Sequence, residues 1–142
     1  IKRITRGVLA DSTLFNGIEV KDVILQETPL FEEVQRFSMA SPVLLKRRSD
    51  NKHLTYEDEG YESALTENLK TKLEKAGISP EGVEIKLDPD TTYRSTKLVT
   101  YNGIQNKTTF APLIIKGNNE QLTYAWSVGL GHSTGIGFGA LK

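Results

Sequence analysis

Five of the chain's 12 glycines fall within the eleven residues Gly129 to Gly139, Gly-Leu-Gly-His-Ser-Thr-Gly-Ile-Gly-Phe-Gly. Residues without a Cβ admit positive φ and let other backbone approach closely, so such a run follows a sharply defined path. A nucleotide-binding glycine loop leaves a strand and opens a helix, so that phosphate meets the helix N-terminus. Here the order is reversed. A helical pattern through Leu122, Ala125, Trp126 and Val128 precedes the run, a short strand pattern from Gly137 to Leu141 follows, and no Gly-Lys-Ser/Thr occurs. Two readings remain. In one, the glycines only turn a helix onto a sheet edge. In the other, main-chain N–H groups converge on an anion, with the Ser133 and Thr134 hydroxyls and the His132 ring as further donors.

The preceding hundred residues supply a scaffold. Val34 to Lys46 reads as a strand that must bend at Pro42, which cannot donate a ladder hydrogen bond. Thr55 is a candidate N-cap, and Glu57, Asp58 and Glu59 would fill a first helical turn, where the helix dipole favours acids. Leu65, Leu69 and Leu73 recur at i+4, Ala64 widens the stripe, and Gly77 ends it. Val83 to Leu87 alternates, Thr92 to Tyr101 is rich in strand formers, and Asn102-Gly103 suits a hairpin turn. Lys107 to Lys116 returns as a strand with a disruption at Pro112. Asn118 or Asn119 can cap the second helix, and Gly129 stops it. The order is β-α-β-β-α-β, so the expected fold is α+β, a ferredoxin-like (RRM-like) arrangement.

Before this unit, Ile1, Ile4 and Val8 have helical spacing, Asn16-Gly17 is a turn, and Ile18 to Gln26 alternates like a strand. A helix end plus one strand reads as the remnant of a preceding ferredoxin-like domain with a cut N-terminus. The expected division is therefore residues 1–28 as remnant and residues 29–142 as a second domain, with the glycine-rich loop at 129–139.

Composition removes several chemistries. There is no cysteine, which excludes disulfides, thiolate zinc, iron–sulfur clusters and a thiol nucleophile, and only His53 and His132 are imidazoles. No apolar run approaches the ~18 residues of a membrane span, and no signal peptide opens the sequence. Net charge is zero, 18 bases against 18 acids, but it is segregated. Glu57–Asp90 holds ten acids and four lysines, whereas Thr91–Lys142 holds five bases and one acid. Segregation of this kind lets a neutral chain present a basic face. The basic candidates are Lys46, Arg47 and Arg48 at a strand end, Arg94 and Lys97 on the expected hairpin, and Lys116. Arg47, Arg94 and Lys97 are favoured, because strand ends and hairpins can face the glycine loop.

The glycine run resembles the glycine-rich signature of the CRISPR-associated repeat-processing endoribonucleases. Ser41-Pro42-Val43 with the basic end Lys46-Arg47, His53-Leu54-Thr55 through Asn68-Leu69, and Gly17-Ile18-Glu19-Val20 with Val23 are similar to other segments of that family, in order. The resemblance implies two tandem ferredoxin-like domains in a cytoplasmic antiviral-defence protein that binds the repeat of a precursor CRISPR RNA. It implies cleavage without metal or cofactor, by attack of the RNA's own 2′-hydroxyl to give a 2′,3′-cyclic phosphate. The partners implied are repeat RNA, the missing N-terminal domain, a CRISPR effector complex and, as a homodimer, a second copy.

The family's acid–base residues usually lie on the first domain, so no catalytic residue is carried over, and the chain alone is expected to cut negligibly. His132 titrates near neutral pH and is the one candidate here, although the family pattern favours a loop residue facing RNA or solvent. Expected RNA contacts are Gly129, Gly131, His132, Ser133, Thr134, Gly135, Gly137, Arg47, Arg94 and Lys97. Base stacking on sheet aromatics is not expected, because neither hairpin strand carries the RRM pattern. The alternative is a non-catalytic ferredoxin-like protein-interaction module whose glycine loop is only structural.

Overall fold

The computed structural model describes residues 6–8, 10–13, 17–24 and 27–142. Residues 6–8 and 10 are helical, in keeping with the spacing of Val8; Ile1 and Ile4 lie outside the described residues. The strand expected over Ile18–Gln26 is not formed in its described part. The pairing there is a single bridge of Thr13 with Glu19, and Ile18, Val23 and Ile24 are exposed. Alternation makes a strand only where a neighbouring strand offers a ladder, and the described residues offer none to this segment.

From Val34 the elements are β1 (Val34–Phe37), β2 (Leu45–Lys46), β3 (His53–Leu54), α1 (Tyr61–Lys75), β4 (Glu84–Leu87), β5 (Ser95–Tyr101), β6 (Ile104–Phe110), β7 (Leu113–Lys116) and α2 (Asn119–Val128). It is a mixed α+β fold with antiparallel sheets. One sheet has the order β1-β7-β4, with Ile115 opposite both Gln35 and Ile85 and Leu113 opposite both Phe37 and Leu87. The chain end lies along the other side of β1. Met39 is bridged to Leu141, and Ser38 and Lys142 exchange backbone hydrogen bonds of 3.1 and 2.8 Å.

The helices cover this sheet because their apolar positions fall on one stripe. Leu65, Leu69 and Leu73 of α1 and Leu122 and Ala125 of α2 are buried against Phe37, Ile85, Leu113 and Ile115. Each fully buried leucine contributes roughly 1.5–3 kcal/mol by removal from water. Helix α1 stops as its sequence predicts. Gly77 takes φ +75°, its N–H donates to Glu74 O, and Ile78 N–H donates to Leu73 O, the paired bonds of a Schellman cap. Its start differs from expectation. Thr55 caps nothing, because its N–H and hydroxyl are both taken by Asp58 Oδ2 in a turn, and the helix begins at Tyr61 after a left-handed Gly60. Asn118 caps α2 in a full capping box with Gln121.

The strand expected over 34–46 is two pieces. Before Pro42 it pairs with β7. Beyond Pro42 it crosses to a second layer, where Val43 and Thr109 exchange hydrogen bonds of 2.7 and 2.9 Å and β2 pairs with β3. The β5–β6 hairpin extends that layer and turns through Asn102 (φ 48°) and Gly103 (φ 76°), the type I′ geometry that Asn-Gly favours. Likewise the strand expected over 107–116 divides at Ala111-Pro112 into the end of β6 and β7. The expected last strand, Gly137–Leu141, is reduced to the Leu141 bridge and irregular bonds to residues 38–42.

Candidate nucleic-acid interface

Crossing over at Pro42 brings the basic strand end to the glycine run. Leu44 is bridged to His132, whose N–H donates to Leu44 O over 2.6 Å, while Gly139 N–H donates to Pro42 O over 2.9 Å. The run therefore wraps the strand that ends in Lys46, Arg47 and Arg48.

The five glycines divide into two groups. Gly129, Gly131 and Gly139 are buried, and each has backbone pressed onto it. A Cβ on Gly129 would stand 2.8 Å from Gly139 O, one on Gly131 would collide with Leu44 O, and one on Gly139 would collide with Leu130 O. Their absent side chains permit close approach. Leu130 and Phe138, between and beside them, are core residues. Gly135 and Gly137 instead sit at an exposed tip with open space around them.

The amides divide likewise. Those of Gly129, Leu130, His132 and Gly139 donate inward, to Ala125 O, Gly139 O, Leu44 O and Pro42 O. A short 3₁₀ turn, Thr134–Ile136, satisfies the amides of Ile136 and Gly137 on Ser133 O and Thr134 O. The amides of Ser133, Thr134 and Gly135 have no internal partner among the described residues, and Ser133 and Gly135 are exposed. Of the expected RNA-binding positions, then, Gly129 and Gly131 are scaffold. Ser133, Thr134, Gly135 and Gly137 form the reachable tip.

His132 is half-buried between the tip and the basic strand end. Its Nδ1 accepts from Lys46 N–H at 3.2 Å, so the proton of the neutral ring is on Nε2. Asn68 Nδ2 lies 3.4 Å from Nε2, and turning the carboxamide by half a rotation brings Oδ1 to that proton without altering its shape. Burial lowers the imidazole pKa, and the charges of Lys72 and Lys46 lower it further. The ring is therefore neutral at neutral pH, with both nitrogens engaged inside the protein.

Lys72, one turn along α1 from Asn68, joins the site from outside the residues that the sequence marks. Its half-buried ammonium donates to Gly129 O over 3.0 Å, satisfying a carbonyl at the C-terminal end of α2. Burial brings its pKa down to about 8. The signal available in sequence was a polar i, i+4 pair, Asn68 and Lys72, beside the leucine stripe.

Lys46, Arg47, Arg48, Glu67, Asn68 and His132 border one groove of about 290 Å³ floored by Leu45, Leu54 and Ala64. Arg47 reaches Asp50 at 3.4 Å, and Arg48 donates to Thr71 Oγ1 at 2.7 Å. Arg94 and Lys97 are placed elsewhere. Arg94 donates to Asp88 O at 3.0 Å, beside the buried Asp88 carboxylate that pairs with Arg36, and Lys97 lies on β5 opposite Thr108. No hydrogen bond or ion pair among the described residues joins either to the loop. His53 stands opposite Lys46 and accepts from Lys107 N–H at 3.2 Å, tying β3 to the hairpin.

A larger groove, of about 450 Å³, lies between α1 and the β4 edge. Glu62 Oε1 and Thr66 Oγ1 there accept the outward amides of Leu87 and Ile85, at 2.7 and 3.0 Å, so the edge is already closed by side chains. Its Glu67–Lys70 and Glu84–Lys86 pairs leave it no excess of positive charge for a polyanion. Among the described residues no helix is long and apolar enough to cross a membrane.

Residues 25–142 match the family model described as CRISPR associated protein Cas6, C-terminal. A comparison with curated protein sequences finds no match. Among solved structures, one described as "An RAMP protein binding different RNA substrates" is similar with a TM-score of 0.80 at 18% identity, covering 100% of this chain and 64% of its own. A Cas6-related protein from Pyrococcus furiosus is similar with a TM-score of 0.73 at 21% identity, over 99% of this chain and 61% of its own. A third, described as CRISPR associated protein Cas6, gives 0.80 at 18% identity, over 99% and 62%. The chain thus spans between 61% and 64% of the length of these structures.

Proposed function

The chain belongs to the CRISPR-associated Cas6 family, matched over residues 25–142 by the model of its C-terminal region, and from that premise we propose that it grips the repeat of a precursor CRISPR RNA as the RNA-holding part of a repeat endoribonuclease. The observation that carries this reading is the meeting of the basic strand end with the glycine run at His132. Lys46, Arg47 and Arg48 border the groove that His132 lines, His132 accepts from Lys46 N–H, and the unpaired amides of Ser133, Thr134 and Gly135 follow directly on His132 in the chain. Cations next to a loop with unpaired main-chain donors suit a phosphodiester backbone.

The ferredoxin-like reading is supported by the order chain end, β1, β7, β4, in which every neighbour is antiparallel. On this reading residues 29–142 are one such domain and residues 1–28 the end of another. The cleavage we assign to the whole protein is metal-independent. The 2′-hydroxyl gives up its proton as its oxygen attacks the adjacent phosphorus, the bond to the 5′-oxygen breaks, a 2′,3′-cyclic phosphate forms, and the leaving oxygen takes up a proton. We assign no residue of this chain to that proton transfer. His132, whose two nitrogens are occupied at Lys46 and Asn68, serves to position the loop.

Fluorescence anisotropy with labelled single-stranded CRISPR repeat RNA across a salt series tests the binding. Wild-type affinity should fall with salt. Each of Lys46→Gln, Arg47→Gln and Arg48→Gln removes one cation from the phosphate-facing rim and should reduce the log–log slope by roughly 0.7. Gly135→Asp, which adds negative charge at an unstrained, open position, should weaken binding in the same assay. Salt-independent binding, or wild-type affinity in all four variants, would overturn the reading.

A further inference from the structure

We propose that the groove between β2, β3 and α1 is a pocket for one unstacked nucleotide of the RNA, and so a point at which the chain reads a base as well as the backbone. The inference rests on the RNA-binding reading above and deepens it. Phosphate contacts fix position along a nucleic acid but carry no sequence information, whereas single-stranded RNA is read by bases splayed out onto protein surface.

The groove has the parts such a reader needs. Its volume of about 290 Å³ lies at the lower end of the range for small-molecule sites, which suits one nucleotide and not a helix. Its floor is apolar and firm: Leu45 and Leu54 are buried in the β2–β3 pair, where they stand opposite each other, and Ala64 lies on α1. Ala64 contributes only a methyl group to that floor. A flat apolar floor accepts any base's π-face by exclusion of water.

One wall is polar. Asn68 has one end of its carboxamide at His132 Nε2, and the opposite polar atom is buried with no partner among the described residues. A buried polar atom without a partner costs free energy that a hydrogen bond recovers; a turn of the Asn68 side chain would bring that atom to the groove, where the edge of a base supplies both donors and acceptors. The third part is charge. Lys46, Arg47 and Arg48 outnumber the one lining carboxylate, Glu67, which Lys70 pairs, and the Arg47 side chain remains 45% exposed despite its pairing with Asp50. A base on the floor would leave its own phosphate beside these cations.

The test is a thermodynamic cycle on the full chain. A labelled single-stranded CRISPR repeat RNA is made with one abasic nucleotide placed at each position in turn, and affinity is measured for wild type and for Ala64→Leu. Leucine is a good helix former, so the substitution fills the groove without opposing α1. One abasic position should weaken wild-type binding by roughly tenfold, the order expected for losing one buried apolar face and one hydrogen bond, and the same abasic RNA should bind Ala64→Leu no more weakly than the intact RNA does. Asn68→Ala should reduce the abasic penalty at that position alone. If every abasic RNA binds like the intact one while Gly135→Asp still weakens binding, the pocket is refuted and the RNA reading stands. If an abasic penalty persists undiminished in Ala64→Leu, the base lies elsewhere and the pocket is again refuted. Failure of the wild type to bind any of these RNAs removes the reading on which the pocket rests.

Discussion

The division of the glycine run into scaffold and tip predicts a graded stability series under substitution by alanine. Gly135 has no positive φ and nothing close to its missing Cβ, so Gly135→Ala should leave stability within about 0.5 kcal/mol of wild type. Gly137 is also uncrowded but has φ +99°, so Gly137→Ala bears a backbone cost alone, roughly 1–2 kcal/mol. Gly139 combines φ +69° with a Cβ driven onto Leu130 O. To the same backbone cost it adds overpacking of roughly 1–3 kcal/mol, for a total of about 2–5 kcal/mol. Urea unfolding followed by circular dichroism ranks the three. Because all three are the same Gly→Ala change within one loop, the comparison bears on backbone conformation and close approach. RNA affinity of folded protein should follow another order, with Gly135→Ala and Gly139→Ala both near wild type, since neither adds charge. Equal destabilisation at Gly135 and Gly139, or a larger loss at Gly135, would refute the division into packed and open glycines.

Two further outcomes concern the imidazole that joins loop to strand. His132 has a folded pKa below its ordinary 6.5, as does His53, so the unfolded chain binds these protons more readily than the native one. The contribution of the neutral rings is complete above pH 6.5 and is lost as pH falls through the lowered values, so the urea midpoint should drop between about pH 7.5 and about pH 5.5 and drop less in His132→Gln; a pH-independent midpoint contradicts this. Lys72→Met should raise the His132 pKa read by NMR titration, because it removes a nearby positive charge while keeping the stem's bulk, and an unchanged or lowered value would show that the ammonium is not felt at the ring.

Local signals in the sequence located what local physics controls. The Leu65, Leu69, Leu73 stripe and Gly77 fix α1 and its end, Asn102-Gly103 fixes the hairpin, and Asn118 with Gln121 fixes the start of α2. Each depends on residues within a turn or two. What the sequence hid depends on distant partners. Pro42 announced a bend in the strand over 34–46, but not that the two halves would join different layers, which is decided by β7 and Thr109. Asn68 and Lys72 meet the loop across sequence separations of 64 and 57 residues. Arg94 and Lys97 looked equivalent to Arg47 by charge and element type. Asp88, buried at the end of β4, draws Arg94 into its own turn through its carbonyl and is paired to Arg36 by its carboxylate.

Helix α1 shows why the site is where it is. At about 100° per residue, Thr66 falls on one flank of the leucine stripe, and Lys72 and Asn68 fall on the other. The stripe buries against the sheet. On the first flank Thr66, with Glu62 a turn earlier, closes the free edge of β4. On the second, Lys72 and Asn68 hold Gly129 and His132 and so fix the glycine loop against Leu44. The acid-rich segment that contains this helix therefore does not spread its charge evenly. Its carboxylate at Glu62 is spent on an edge strand, its ammonium at Lys72 supports the loop, and the neighbouring strand end keeps three cations at the groove rim. A neutral protein acquires a basic groove because one helix sorts its polar side chains by flank. Exchanging the residues at 66 and 72 would conserve composition and net charge while removing both the edge cap and the loop support.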